Sequence, residues 1–127
     1  MRQAVSADSA PAALGPYSQA IIANGFVFCS GTAGIDPATG AVAEGIEAQA
    51  EQALRNLDAI LAAAGASLAT LVKTTIFYQN VDDFAAINAV YARYMPEPPP
   101  ARSAPANVNL PRGLLISIDA IAVLPAA

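Results

Sequence analysis

The spacing of apolar residues sets the first expectations. In "EGIEAQAEQALRNLDAILAAAG", residues 44–65, Ile46, Ala50, Ala53, Leu54, Leu57, Ile60, Leu61 and Ala64 recur three or four apart. That period gathers them into one stripe of an α-helix. Glu44, Glu47 and Glu51 crowd its N-terminal end, where the helix dipole favours anions, and Gly65 is placed to stop it. A second helical pattern runs through "VDDFAAINAVYARYM", residues 81–95, with Phe84, Ile87, Tyr91 and Tyr94 on one face. Asn80 can cap it, Asp82 and Asp83 lie in its first turn, and Pro96 ends it. The two helices are expected to be of similar length.

Shorter apolar runs read as strands. "QAVSA", residues 3–7, suits a short edge strand. "YSQAII", residues 17–22, and "FVFCSG", residues 26–31, flank Asn24-Gly25, a hairpin signal. "LVKTTIFYQN", residues 71–80, and "LLISIDAIAVL", residues 114–124, complete the set. Pro37 and Gly40 in "IDPATGAV" mark a turn, and "PPPARSAPANVNLP", residues 98–111, reads as a proline-rich loop. The order, β-β-α-β-α-β with spare strand material at the end, predicts an α+β sandwich with both helices on one face of the sheet.

Composition adds an expectation about assembly. The chain of 127 residues suits one domain spanning 1–127. Its residues are 55% hydrophobic and 13% charged, against about 45–50% and about 25% in typical domains. So small a domain has too much surface to hide that excess alone, and burial in an oligomer is expected. Alanine bias is the alternative account. Net charge is −4 and the six cations are scattered, which argues against nucleic acid as a partner. The N-terminus lacks a signal peptide's apolar core, and no apolar run reaches the ~18 residues of a membrane span. The expectation is a soluble, cytoplasmic protein that contacts no membrane.

Two residue counts narrow the chemistry. Cys29 is the only cysteine, which excludes an intrachain disulfide. Histidine is absent, which removes Ser-His and Cys-His nucleophile pairs and the commonest zinc ligand. Proton transfer must then use carboxylates, hydroxyls, lysine, backbone or water.

Four groups of residues could carry chemistry. Arg102 sits between Ala101 and Ser103 with prolines on both sides. A stiff backbone there would hold its planar fork ready for a carboxylate, with Ser103 adding a hydroxyl. A solvated loop arginine is the plain alternative. Asn88 borders the apolar face of the second helix, four residues from Phe84 and three from Tyr91, where an amide needs partners and can simply tie backbone together. Tyr17 and Ser30 stand at strand ends, each in reach of a pocket rim. Ser117 and Asp119 share one face of the last strand, opposite Ile116, Ile118 and Ala120. A solvated sheet face would account for that pair equally well.

Taken in order, "APAALGPYSQA", "SGTAGIDPATG", "QAEQALRNLDAILAAAG", "VKTTIFYQNVDDFAAINAVYARYM", "PPARSA" and "LPRGLLISIDAIAV" resemble the Rid family, the reactive-intermediate deaminases also called RidA/YjgF. The resemblance covers nearly the whole chain. It implies a chorismate-mutase-like α+β sandwich, a mixed sheet, and a homotrimer with a central barrel and clefts between subunits. It also implies hydrolysis of reactive enamines and imines such as 2-aminoacrylate to 2-keto acids and ammonia, without cofactor or metal. In the family this limits metabolite damage to pyridoxal-phosphate enzymes.

Residue by residue, the resemblance makes Arg102 the clamp on the substrate carboxylate. Tyr17 and Ser30 match cleft residues, and Asn88 matches an asparagine near the interface. Gly31 matches a glycine that lets backbone approach the ligand. Ala104 stands where many members have cysteine, keeping the backbone contact but no thiol. Ser117 stands where deaminase members carry the glutamate that activates water, and a serine hydroxyl is a poor base at neutral pH. Pro105 and Asn107 replace apolar strand residues, and Pro105 lacks a backbone donor.

These features leave two main expectations. One is an imine or enamine hydrolase in which Arg102 holds the carboxylate while backbone around Ala104, Ser117 and Asp119 assist water. The other is a diverged cleft that binds a carboxylate metabolite, or serves a biosynthetic step on an imine-like intermediate, with little or no deamination. A protein-interaction role is a third reading. Ribonuclease activity, attributed to some members of the family, fits poorly with the acidic balance.

Overall fold

The structure, a computed structural model, describes residues 1–126. Its strands are β1 Gln3–Val5, β2 Ala20–Ala23, β3 Phe26–Ala33, β4 Leu71–Tyr78, β5 Ala101–Ser103 and β6 Ile116–Val123. Its helices are α1 Ile46–Ala63 and α2 Phe84–Ala92. The six strands form one mixed sheet in the order β1-β2-β3-β6-β4-β5. Every neighbouring pair is antiparallel except β4 and β5, which run parallel. This is the expected α+β fold.

Local sequence explains most of the elements. Asn24 and Gly25 both take positive φ, 53° and 81°, the conformation a two-residue hairpin turn needs between β2 and β3. Gly65 ends α1 at φ 86°, with Gly65 N–H bonded to Ala62 O at 3.0 Å and Ala66 N–H to Leu61 O at 2.8 Å. That pair of bonds satisfies carbonyls the helix leaves open. Along β6, Ile116, Ile118, Ala120 and Ala122 are buried and join Leu54, Leu57 and Leu61 of α1 in the core. Ile87, Val90 and Tyr91 of α2 enter the same core. Ser117 and Asp119 therefore face away from the helices, as alternation predicted.

Three expectations needed correction. The first strand of the hairpin begins at Ala20, not Tyr17, because the preceding residues make other bonds. Tyr17 N–H turns back to Gly15 O at 2.8 Å. The buried Gln19 side chain accepts from Ala7 N–H at 2.6 Å and donates to Pro11 O at 2.7 Å, pinning the N-terminal segment. The helices are also unequal, 18 residues against 9. Asn80 Oδ1 accepts from Asp82 N–H at 2.9 Å and holds residues 81–83 in a 3-10 turn. At the other end Arg93 and Tyr94 bond three residues back and tighten the chain before Pro96. Finally, part of the proline-rich loop is a strand: β5 lies beside β4 at the sheet edge. It stops before Pro105, whose carbonyl nevertheless accepts from Tyr78 N–H at 3.3 Å. Asn107 turns the chain at φ 63°. Among the described residues, no helix is long and apolar enough to cross a membrane.

Asn56 ties α1 to the strand end that shapes the main cleft. It is buried, and its Nδ2 donates to Ala33 O at 2.9 Å and Ile35 O at 2.8 Å, while Oδ1 accepts from Gln52 Nε2 at 2.9 Å. Asn56→Ala would leave two partly buried carbonyls without their donor, so it is expected to cost roughly 2–4 kcal/mol of stability. Urea denaturation measures this directly, and a loss below about 1 kcal/mol would contradict the assigned bonds.

Candidate functional site

Arg102 is exposed, yet its side chain is held in place. Parallel pairing puts it beside Thr74, so both side chains lie on the helix side of the sheet. There α2 presents Phe84, Asn88 and Tyr91, a set spaced i, i+4 and i+7 that shares one helix face. Arg102 Nη1 donates to Asn88 Oδ1 at 2.7 Å. The guanidinium carbon lies 5.1 Å from the Tyr91 ring centre and 5.6 Å from that of Phe84. Contacts at these distances each contribute about 0.5–2 kcal/mol, depending on desolvation. Phe84 in turn stacks on Tyr78 of β4, with ring centres 6.1 Å apart. Among the described residues the ion pairs are those of Glu51 with Arg55 and Arg93. The charge of Arg102 therefore has no carboxylate partner there. It lines a hollow of about 410 Å³ with Asn88, Tyr91, Met95, Glu97, Pro99 and Pro100, Glu97 standing outside ion-pair distance.

Ser117 lies in a different and larger cleft of about 640 Å³. The register between β3 and β6 shifts between Cys29 and Thr32, so Ser30 and Gly31 bulge opposite Asp119. The bulge brings Gly31 so close to Ser117 that a Cβ added to Gly31 would stand 2.8 Å from Ser117 Oγ. Ser30 Oγ donates to Ser18 O at 2.6 Å, which joins the bulge to the segment carrying Tyr17. Tyr17 is 52% exposed and stands in the cleft wall, where its Oη accepts from Leu14 N–H at 3.3 Å. Leu14, Ile35, Leu110 and Leu114 make the walls largely apolar. At the rim Arg112, with φ 61°, donates from Nη2 to Gly40 O at 3.0 Å and links two loops.

The expected site residues therefore fall into two groups. Tyr17, Ser30, Gly31 and Ser117 line the larger cleft. Arg102 and Asn88 line the smaller hollow. Asp119 lines neither; it sits on the helix-free face between the bulge and Thr75 of β4. Ser103 is exposed on β5, and Ala104 packs against the core edge. Sequence reading took Phe84 and Tyr91 as core stripe and passed over Thr74 and Arg112. The i, i+4, i+7 spacing with Asn88 was the available signal for the first two. Among the described residues no three His, Cys, Asp or Glu side chains gather as a metal would require.

Cys29, next to the bulge, is not a candidate nucleophile. Burial, with a smaller effect from the charge of Asp119, pushes its thiol up to about 12. At pH 8 about one molecule in ten thousand would carry the reactive thiolate. A disulfide exchange reagent such as dithionitrobenzoate is expected to label Cys29 only after unfolding. Stoichiometric labelling of the native protein within minutes would show the burial to be wrong.

The chain is similar along nearly its whole length to known proteins. Residues 7–124 match the family described as Endoribonuclease L-PSP. The chain is 49% identical over 124 residues to the chloroplastic Reactive Intermediate Deaminase A of Arabidopsis thaliana, covering 97% of this chain and 66% of that protein. It is 44% identical over 126 residues to the 2-iminobutanoate/2-iminopropanoate deaminase of Salmonella typhimurium, covering 97% and 98% of the two chains. The crystal structure of RidA from the Antarctic bacterium Psychrobacter sp. superposes with a TM-score of 0.93 at 42% identity, covering 96% of this chain and 99% of that one.

Proposed function

Because this chain belongs to the Rid/YjgF/L-PSP family, we propose that it hydrolyses small reactive enamine or imine acids to 2-keto acids and ammonia. The observation that carries this reading is Arg102: a guanidinium aligned by Asn88, Phe84 and Tyr91 with no carboxylate in ion-pair contact with it among the described residues, although Glu97 lines the same hollow. Such a group suits a substrate carboxylate. The named activity of the Salmonella relative supplies the matching substrate class.

Catalysis on this reading is mainly positioning. Arg102 holds the carboxylate. An enamine first takes a proton on its methylene carbon and releases one from nitrogen, becoming the imine. Water then adds to the imine carbon, one O–H proton passes to nitrogen, and a carbinolamine forms. The carbinolamine hydroxyl then passes its proton to nitrogen, the C–N bond breaks, and the C=O forms as ammonia leaves. Ser117, Asp119 and the backbone around Ala104 are the groups proposed to guide water, with Tyr17, Ser30, Gly31, Asn88 and Ser103 shaping the pocket. No cofactor takes part.

The proposed catalytic unit is a homotrimer of single-domain chains. Arg102 and Ser117 occupy separate hollows of one chain, so a neighbouring copy is needed to bring an anchor to a water site. The helix-free sheet face supplies a contact surface: Phe28 is 44% exposed and Val123 40%, with Ile21 paired to Phe28 beside them. Both are large apolar side chains that a soluble monomer gains by covering.

A second reading is favoured by Ser117 itself. With a hydroxyl where the resemblance calls for a carboxylate, the cleft would bind a carboxylate metabolite and turn it over weakly. One experiment separates the two: generate 2-aminoacrylate in situ, add the purified protein, and follow pyruvate formation against a competent deaminase. Acceleration comparable to the control supports the hydrolase. No acceleration, with measurable binding of a keto acid, supports the binding role.

A further inference from the structure

Behind the Arg102 cage lies a buried pair of hydroxyls. Thr74 Oγ1 and Tyr91 Oη are 2.6 Å apart. Thr74 is fully buried on β4 and Tyr91 nearly so on α2. No other hydrogen bond pins the Tyr91 ring among the described residues. Thr74 is also the residue paired with Arg102 across the β4–β5 ladder. The strand that sets the backbone position of Arg102 thus also sets the ring its guanidinium rests on.

We propose that Thr74 and Tyr91 are positioning residues: their hydroxyl pair fixes the plane of the Arg102 guanidinium and thereby the affinity of the site for a carboxylate. The second limb rests on the reading of Arg102 as a carboxylate anchor. A bidentate pair needs two N–H vectors aimed along one edge of a planar group. Asn88 fixes a single nitrogen, Nη1, and about that bond the fork can still swing. A ring face at 5.1 Å restricts the swing only if the ring is itself immobile. Tyr91 has two side-chain torsions, and the bond to Thr74 locks the far end of both. Burial also pushes the Tyr91 hydroxyl above its ordinary range, so it stays protonated and able to bond at neutral pH. Thr74, branched at Cβ, is stiff in χ1 and makes a firm partner.

A purely structural role for the pair would look different. The pair would then add stability and leave Arg102 unaffected. The test must therefore read the arginine itself. In wild-type protein, nitrogen-proton NMR of Arg102 should resolve separate Hη signals, because rotation about its terminal C–N bonds is slow. In Tyr91→Phe and Thr74→Val those signals should average, and Thr74→Ser, which restores a hydroxyl, should resolve them again. Titration with 2-oxobutanoate should show Kd raised about three- to tenfold in Tyr91→Phe and Thr74→Val, with Thr74→Ser near wild type. Arg102→Ala is the reference for complete loss of the anchor.

Hη signals that stay resolved in both variants overturn the positioning role, whatever the thermal melts show. Averaged signals with Kd unchanged overturn the second limb, the link to affinity. If Arg102→Ala also leaves Kd unchanged, the anchor reading fails while the hydroxyl pair still fixes the guanidinium. If Thr74→Val does not fold, Tyr91→Phe, which keeps the ring and its packing, carries the test alone.

Discussion

Ser117→Glu is expected to raise kcat for imine hydrolysis by about 10²-fold or more, with KM changed little. General acid–base groups contribute typically 10²–10⁴-fold, and a serine without a base beside it supplies little of that. The geometry leaves room for the longer side chain. Ser117 Oγ lies over Gly31, so close that a Cβ there would stand 2.8 Å away, and only glycine tolerates a side chain at this place. Beyond it lies a cleft of about 640 Å³. Steady-state rates with 2-aminoacrylate generated in situ, for both proteins, measure the effect. A variant within threefold of wild type would show that water activation at this position is not what limits the reaction. A double variant, Ser117→Glu with Gly31→Ala, should lose the gain, because the added methyl group occupies the path of the side chain.

The fold was largely legible because its signals were local. Asn24-Gly25 and Gly65 act through positive φ, which a sequence displays openly. The alternation in β6 correctly put Ser117 and Asp119 on the face opposite Ile116 and Ile118. What stayed hidden depended on partners distant in sequence. β5 has three residues, all exposed, between prolines and Pro105, and only pairing with β4 makes it a strand. The half-length of α2 came from an asparagine that bonds locally instead of starting an α-helix at once. The site was legible as a set of residues and illegible as an arrangement. Nothing in the spacing separated Arg102 and Asn88 from Tyr17, Ser30, Gly31 and Ser117, yet the chain places them in two hollows. Asn88, weighed as a backbone tie, instead accepts from Arg102. The apolar stripe of α2 concealed the aromatic cage because a core residue and a cation–π platform look alike in sequence.

Arg102→Ala is expected to lower kcat/KM by about 30- to 10³-fold, with a smaller loss in Arg102→Lys. Truncating one partner of a hydrogen-bonded charge pair costs roughly 2–4 kcal/mol, and each 1.4 kcal/mol is about tenfold. Lysine keeps the charge, but it lacks the planar fork and cannot rest on the Tyr91 and Phe84 rings in the same way. Stability should fall modestly in Arg102→Ala, by about 1–3 kcal/mol, because two ring contacts and one hydrogen bond are lost at an exposed site. β5 is an exposed edge strand, and among the described residues Arg102 has one side-chain hydrogen bond, to Asn88 Oδ1, and no ion pair to lose. Loss of activity in a variant that still melts cooperatively well above the assay temperature would therefore report on substrate and not on folding. The split between kcat and KM says where the anchor acts. If it grips the carboxylate equally in ground and transition states, KM rises and kcat holds. If it also aligns the imine carbon for water, kcat falls as well, because an untethered substrate leaves the near-attack geometry. The anchor and Ser117 are proposed to meet across two copies, so subunit mixing tests the assembly. The double variant Arg102→Ala, Ser117→Glu carries a base without an anchor, and the wild-type chain carries an anchor without a base. Refolded together, they should exceed both parents, because some shared clefts then pair an intact Arg102 with the carboxylate introduced on the neighbouring copy. Mixed trimers no more active than the parents would place the anchor and the water site in the same chain, contrary to the proposed assembly.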